Sequence, residues 1–246
     1  MFTTTSRQRI RRLECKGAAE LPEDVRRLGI RSVIIGEEHT DVAAALILRE
    51  IFRAKATDAL YLEAFAAGRI GSVGAANAAM KRMPNGVHSW NPDKYMLVLE
   101  EALKNDVLVF GVDNRNRSNE RRSRGWMRLL DSHVNPTLRN SFLFGMEHLS
   151  SVAGVASGDT DNAGDISRYL IGMGLVPRAL ILADQSVDKP AIERVNMTGG
   201  TDDTVYRYGP AGHIGASRQF MDLLRAERHA GESLEEARRA LEEVRR

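Results

Sequence analysis

The run Arg31-Ser32-Val33-Ile34-Ile35-Gly36-Glu37-Glu38-His39 decides how the chain is read. Its Val-Ile-Ile centre is a continuous β-branched burst, the pattern of a parallel strand covered on both faces. The burst reaches a glycine and then sets two carboxylates and an imidazole in the next three positions. A second run, Phe142-Leu143-Phe144-Gly145-Met146-Glu147-His148-Leu149, repeats the design. Polar groups at the carboxyl ends of parallel strands converge on one crevice, which is where open α/β sheets place their chemistry. The two runs together point to an enzyme.

Strand and helix alternate outward from the first run. Thr40 or Asp41 can cap a helix whose apolar positions Val42, Leu46, Ile47, Ile51 and Phe52 fall near helical spacing. Residues 59–62 read as a second strand ending at Glu63, followed by a Gly- and Ala-rich segment over 68–80 and a helix over 92–105. Residues 107–112 read as a third strand ending at Asp113, 141–145 as a fourth, and 179–183 as a fifth ending at Asp184, after a helix over 161–173. This alternation predicts an α/β fold: a mostly parallel central sheet with helices on both faces. The alternating stretch 204–208 predicts an edge strand, antiparallel to the rest. Residues 1–30 form a polar lead-in with a short helix begun by Pro22, 31–210 the core of a single domain, and 211–246 C-terminal helices with a capping box at Ser233-Leu234-Glu235-Glu236.

Composition narrows the classes. Of 246 residues, 35 are basic and 33 acidic, a net charge of +2, so no strong overall field favours nucleic acid or an anionic membrane. The single cysteine, Cys15, permits no internal disulfide and no thiolate metal site, which fits a reducing compartment. It lies between Glu14 and Lys16 with no strand before it to form a nucleophile elbow. Arg7, Arg9, Arg11 and Arg12 are not followed by an apolar run, so the N-terminus does not read as a secretory signal, and no stretch reaches the ~20 apolar residues of a membrane span. A cytoplasmic protein is expected, with export by a specialised route left open.

Three motifs carry a family resemblance. Gly36-Glu37-Glu38-His39 fits G-E-x-H after a first strand, Leu62-Glu63 fits L-E after a second, and Gly145-Met146-Glu147-His148-Leu149 fits G-x-x-H-L after a later one. In order and placement the chain resembles the superfamily of erythromycin esterases, ChaN-like proteins and TraB/TIKI proteases, a domain also found in some bacterial toxins. The resemblance implies a hydrolase whose carboxylates and histidines meet above the sheet, in some members with a divalent metal. Carried over, it makes Glu37, His39, Glu63 and His148 the catalytic centre and also the metal ligands. Asp113 and Arg115 follow the third strand, where relatives often place another polar group, and are the expected substrate-binding pair.

The residues support this on their own chemistry. Glu37 and His39 are two apart, so along an extended strand they face the same way and Glu38 the opposite way. Histidine beside a carboxylate is oriented by it and made a better base, and its ordinary pKa lies near neutrality. Two histidines with two carboxylates are also a plausible N/O set for Zn²⁺, Mn²⁺ or Co²⁺. Taken singly, His39 could simply cap a helix. Glu63 is harder to set aside, because it ends a Leu-Tyr-Leu strand where an unpaired carboxylate is costly.

Other signals are weaker. Gly68 to Gly74 lacks the spacing and the lysine of a phosphate loop and reads as a flap. His88, Trp90 and His213 sit in loops that could line a pocket, and the basic run from Arg115 through Arg121, Arg122, Arg124 and Arg128 could grip an acidic group. The expected function is hydrolysis of an ester, lactone or peptide bond in a small-molecule or peptide substrate. The alternatives are a ChaN-like protein binding haem or metal, and an effector or toxin domain on the same fold.

Overall fold

Ser32–Glu37 forms the first strand, β1, and all six of its residues are buried, as its β-branched run requires. The computed structural model describes residues 15–39, 41–75, 78, 92–113, 119–149, 166–184, 186–187, 191–195 and 203–209. Around β1 lie β2 (Ala59–Ala66), β3 (Gly68–Arg69), β4 (Leu108–Asp113), β5 (Asn140–Gly145), β6 (Arg178–Ala183), β7 (Ile192–Val195) and β8 (Asp203–Tyr208). They make one sheet in the order β3-β4-β2-β5-β1-β6-β8-β7. The six central strands are parallel, and β3 and β7 close the two edges antiparallel.

The expected antiparallel edge is therefore present, but one strand further out. The stretch 204–208 lies within β8, parallel to β6, and the four residues Ile192-Glu193-Arg194-Val195 form the edge beyond it. At the other end, Gly68 and Arg69 of the glycine-rich segment pair with Gly111 and Phe110 instead of beginning a flap.

Side chains alternate between two cores, one on each face of the sheet. Val33, Ile35, Leu60, Leu62, Val109, Leu143 and Ile181 pack with Val25 of α1 (Leu21–Arg27), Leu46 and Phe52 of α2 (Ala43–Arg53) and Tyr95 and Leu99 of α3 (Pro92–Lys104). Ile34, Tyr61, Phe142, Phe144 and Leu180 pack on the opposite face with Trp126 and Leu130 of α4 (Asn119–His133) and Leu170 of α5 (Ser167–Gly172). Connections from β1 and β2 step toward β4 through helices on one face. Those from β4 and β5 step the other way through helices on the second face. Adjacent strands β5 and β1 thus depart in opposite directions, which opens a crevice at their carboxyl ends. The helices expected over 211–246 lie outside the described residues.

One glycine carries unusual weight. Between Leu62 and Ala66, β2 slips against β4, so that Leu62 faces Gly111 while Ala66 faces Asp113. The slip is a bulge at Glu63-Ala64-Phe65, and it re-aims Glu63 as bulges beside functional sites do. A Cβ on Gly111 would drive into the carbonyl oxygens of Ala66 and, at 2.7 Å, of Phe65, backbone atoms that cannot give way. Gly111→Ala is therefore expected to destabilise the protein by about 1–3 kcal/mol, read by urea denaturation.

Candidate functional site

The strand order explains why motifs far apart in sequence meet. β5 lies between β2 and β1, so Gly145 at its end is flanked by Glu63 on one side and by its register partner Glu37 on the other. Gly145 is the floor of the site. A Cβ there would come within 3.0 Å of Nε2 of His39 and 3.4 Å of Cδ2 of His148, so both imidazoles lie over the glycine. Its amide donates to Glu63 Oε2 at 2.8 Å. All four residues expected as the catalytic centre are brought together.

They form two carboxylate–histidine pairs. On the α3 side, Glu37 Oε1 lies 3.2 Å from His39 Nδ1. The same oxygen accepts from the Tyr95 hydroxyl, and Lys94 Nζ donates to Oε2 at 2.7 Å. Lys94 also donates to the carbonyls of His39, at 3.0 Å, and Glu38, at 3.4 Å. On the α4 side, Glu63 Oε1 lies 3.2 Å from His148 Nε2, a close approach off the ideal hydrogen-bond line. Arg122 Nη2 is 3.4 Å from the same oxygen, and Arg122 Nε is 3.5 Å from Asp113. Trp126 supports this half, with its ring edge-on to His148 and the Arg122 guanidinium over its face.

Both carboxyls stay ionised. Burial alone would raise Glu37, but Lys94 and His39 outweigh it and hold its pKa below the ordinary 4.5. Burial would likewise raise Glu63, and His148, His39 and the Gly145 amide again overcome it. A lowered folded-state pKa gives stability that is fully present above 4.5 and lost as pH falls below that value through the folded-state pKa. The unfolding midpoint of the native protein is expected to drop more steeply between about pH 5 and pH 3 than that of a Glu37→Gln/Glu63→Gln variant, as followed by circular dichroism.

Arg115, His88, Trp90 and His213 lie outside the described residues; among those described, the Arg122 guanidinium reaches the site. Asp113 faces that arginine. Cys15 is buried, and burial followed by Asp41 pushes its thiol up to about 12, far from a nucleophile's range. Asp41 meets the start of α2, accepting from the Ala43 amide at 3.1 Å, and Thr40 lies outside the described residues. A cleft of about 400 Å³ opens at the amino ends of the strands, lined by Arg26, Arg31, Asp58 and Arg139. Arg139 there is tied to Asp58 and to the Lys55 carbonyl, so the cleft is a stapled joint remote from the site.

Sequence reasoning passed over Lys94, Tyr95 and the part played by Arg122. One sign was available: Lys94 is a cation in the first turn of α3, where the helix dipole favours an acid, so something other than the helix had to hold it.

No family model matches the chain, and no curated protein matches it. Among solved structures it is similar to "The structure of the type III effector HopBA1", at 14% identity and TM-score 0.49, over 79% of this chain and 94% of that one. A likeness that slight bears on neither fold nor activity. The erythromycin esterase, ChaN and TraB/TIKI resemblance therefore rests on the three motifs. No helix among the described residues is long and apolar enough to cross a membrane.

The expected metal ligands do not fit a divalent ion as they stand. Among the described residues no three His, Cys, Asp or Glu side chains group as a ligand set. Each oxygen of Glu37 and Glu63 already faces an N–H or O–H group. An ion on Glu37 would also sit against the Lys94 ammonium. What remains is two imidazoles over a glycine floor, two ionised carboxylates behind them and one guanidinium beside them.

Proposed function

We propose that this protein is a hydrolase that activates water with His39, oriented by Glu37, at the crevice between β5 and β1. The observation that carries the reading is the Glu37–His39 pair, with Nδ1 turned to the carboxylate and Nε2 over Gly145. His39 is chosen over His148 because its side chain is 17% exposed against 4%. A base must reach water and substrate.

In this mechanism His39 Nε2 takes a proton from water as the oxygen adds to a carbonyl carbon. The negative oxygen that forms faces the Arg122 guanidinium, and the developing imidazolium is stabilised by Glu37. The tetrahedral species collapses as the bond to the leaving group breaks, and an imidazolium returns the proton to the departing alcohol or amine. His148, with Glu63 behind it, completes the far wall and fixes the substrate carbonyl. An ester, lactone and peptide panel assayed with native protein and with His39→Ala tests the reading: turnover lost on substitution supports it, and turnover unchanged overturns it.

Gly145→Ala supplies a second check on the same geometry. The added methyl pushes on ring atoms 3.0 to 3.4 Å away that can move, so the fold is expected to survive. The displaced rings lose alignment, and kcat/KM is expected to fall by about 10- to 100-fold in steady-state kinetics.

A further inference from the structure

We propose that Lys94 and Tyr95 are positioning residues, a built-in cation and hydroxyl that take up both oxygens of Glu37 and thereby set His39 to work without a metal. The inference rests on the hydrolase reading above and adds to it which residues neutralise and orient the base.

The geometry carries it in two steps. Lys94 and Tyr95 are both 0% exposed, neighbours in the first turn of α3, and both converge on one carboxylate. A buried ammonium is costly unless its donors are used, and Lys94 donates to three groups of this one turn: Glu37 Oε2 and the carbonyls of Glu38 and His39. It therefore holds the carboxylate and the backbone that bears the imidazole. A divalent ion would otherwise supply that positive charge to Glu37.

The second step concerns the proton on His39. Nδ1 lies 3.2 Å from Glu37 Oε1 and 3.2 Å from the Tyr95 oxygen. Tyr95 donates its own hydrogen to Glu37 Oε1, so both neighbours of Nδ1 are acceptors. Nδ1 must then carry the hydrogen of the neutral ring. The lone pair falls on Nε2, beside Gly145, where the substrate water has to be. Without Tyr95 the ring could turn or exchange its tautomer, and without Lys94 the carboxylate could swing away.

Three variants of the full chain, Lys94→Met, Lys94→Arg and Tyr95→Phe, test this. Long-range ¹H–¹⁵N spectra of the native protein are expected to show His39 as the Nδ1–H tautomer and Tyr95→Phe to show a mixture. Should Lys94→Met fail to fold, Tyr95→Phe and Lys94→Arg still carry the test. On the substrate found, Tyr95→Phe and Lys94→Arg are expected to lower kcat by about 10- to 100-fold with KM unchanged. Native protein titrated calorimetrically with zinc chloride is expected to bind none at this site. An Nε2–H tautomer in native protein, or about one zinc per chain lost on Glu37→Gln, overturns the proposal. The spectra and the titration do not depend on turnover. If no substrate is cleaved while both give the expected result, the hydrolase reading fails and the positioning pair stands.

Discussion

Lys94→Met is expected to lower the free energy of unfolding by about 3–5 kcal/mol, the usual effect of removing one partner from a buried ion pair. Lys94 is fully buried, and its nitrogen lies 2.7 Å from a carboxylate that is itself 2% exposed. Methionine fills much of the volume, so lost packing is a minor part of the change. The larger part is a Glu37 charge left in a low-dielectric site, together with the lost bonds to the His39 and Glu38 carbonyls, the second of which keeps the Asp41 amide. Adding Glu37→Gln removes that stranded charge and should return part of the loss, because the two changes share one interaction. The exposed pair Arg26–Glu23 gives the contrast, since it is screened by water and Glu23→Gln should leave the midpoint unchanged. Urea denaturation of the single and double variants at neutral pH measures all of this. A native-like midpoint for Lys94→Met would mean that the ammonium does not hold Glu37.

His39→Ala is expected to reduce kcat/KM by about 10²–10⁴-fold, the range that a positioned general base contributes. Its stability should change little, because the ring is partly exposed and Glu37 keeps the Lys94 ammonium and the Tyr95 hydroxyl. His148→Ala should also impair turnover but for a different reason: it leaves the buried Glu63 charge with only the long Arg122 contact and the Gly145 amide beside it. That variant should lose stability as well as rate. The double substitution should be little worse than His39→Ala in rate, since residues that act as a unit are not additive. Equal stability losses in the two single variants would contradict the roles of His39 as an open base and His148 as a buried wall.

The parallel core was legible because its strands are continuous apolar runs ended by glycine or acid, a local pattern. Glu37, His39, Glu63 and His148 were legible for the same reason, each standing at or just past such a run. Their partners were not. Lys94 and Tyr95 reach Glu37 across 57 and 58 positions, through a helix whose face toward the site depends on how α3 crosses the sheet. That Arg122 reaches Glu63 turns on helix phase, which a basic run does not disclose. The bulge at Glu63 depends on Gly111 of the neighbouring strand. The edge strand 192–195 was missed because four alternating residues carry too weak a signal, and its pairing to β8 is what defines it.

The proposed chemistry is hydrolysis of a carbonyl bond by Glu37, His39 and their neighbours without a metal. The most direct measurement is turnover of an ester, lactone and peptide panel by chelator-dialysed native protein beside His39→Ala. Turnover that survives chelation and disappears with His39 is the predicted result. Turnover that disappears on chelation and returns with added zinc or manganese, or that persists in His39→Ala, would contradict the account.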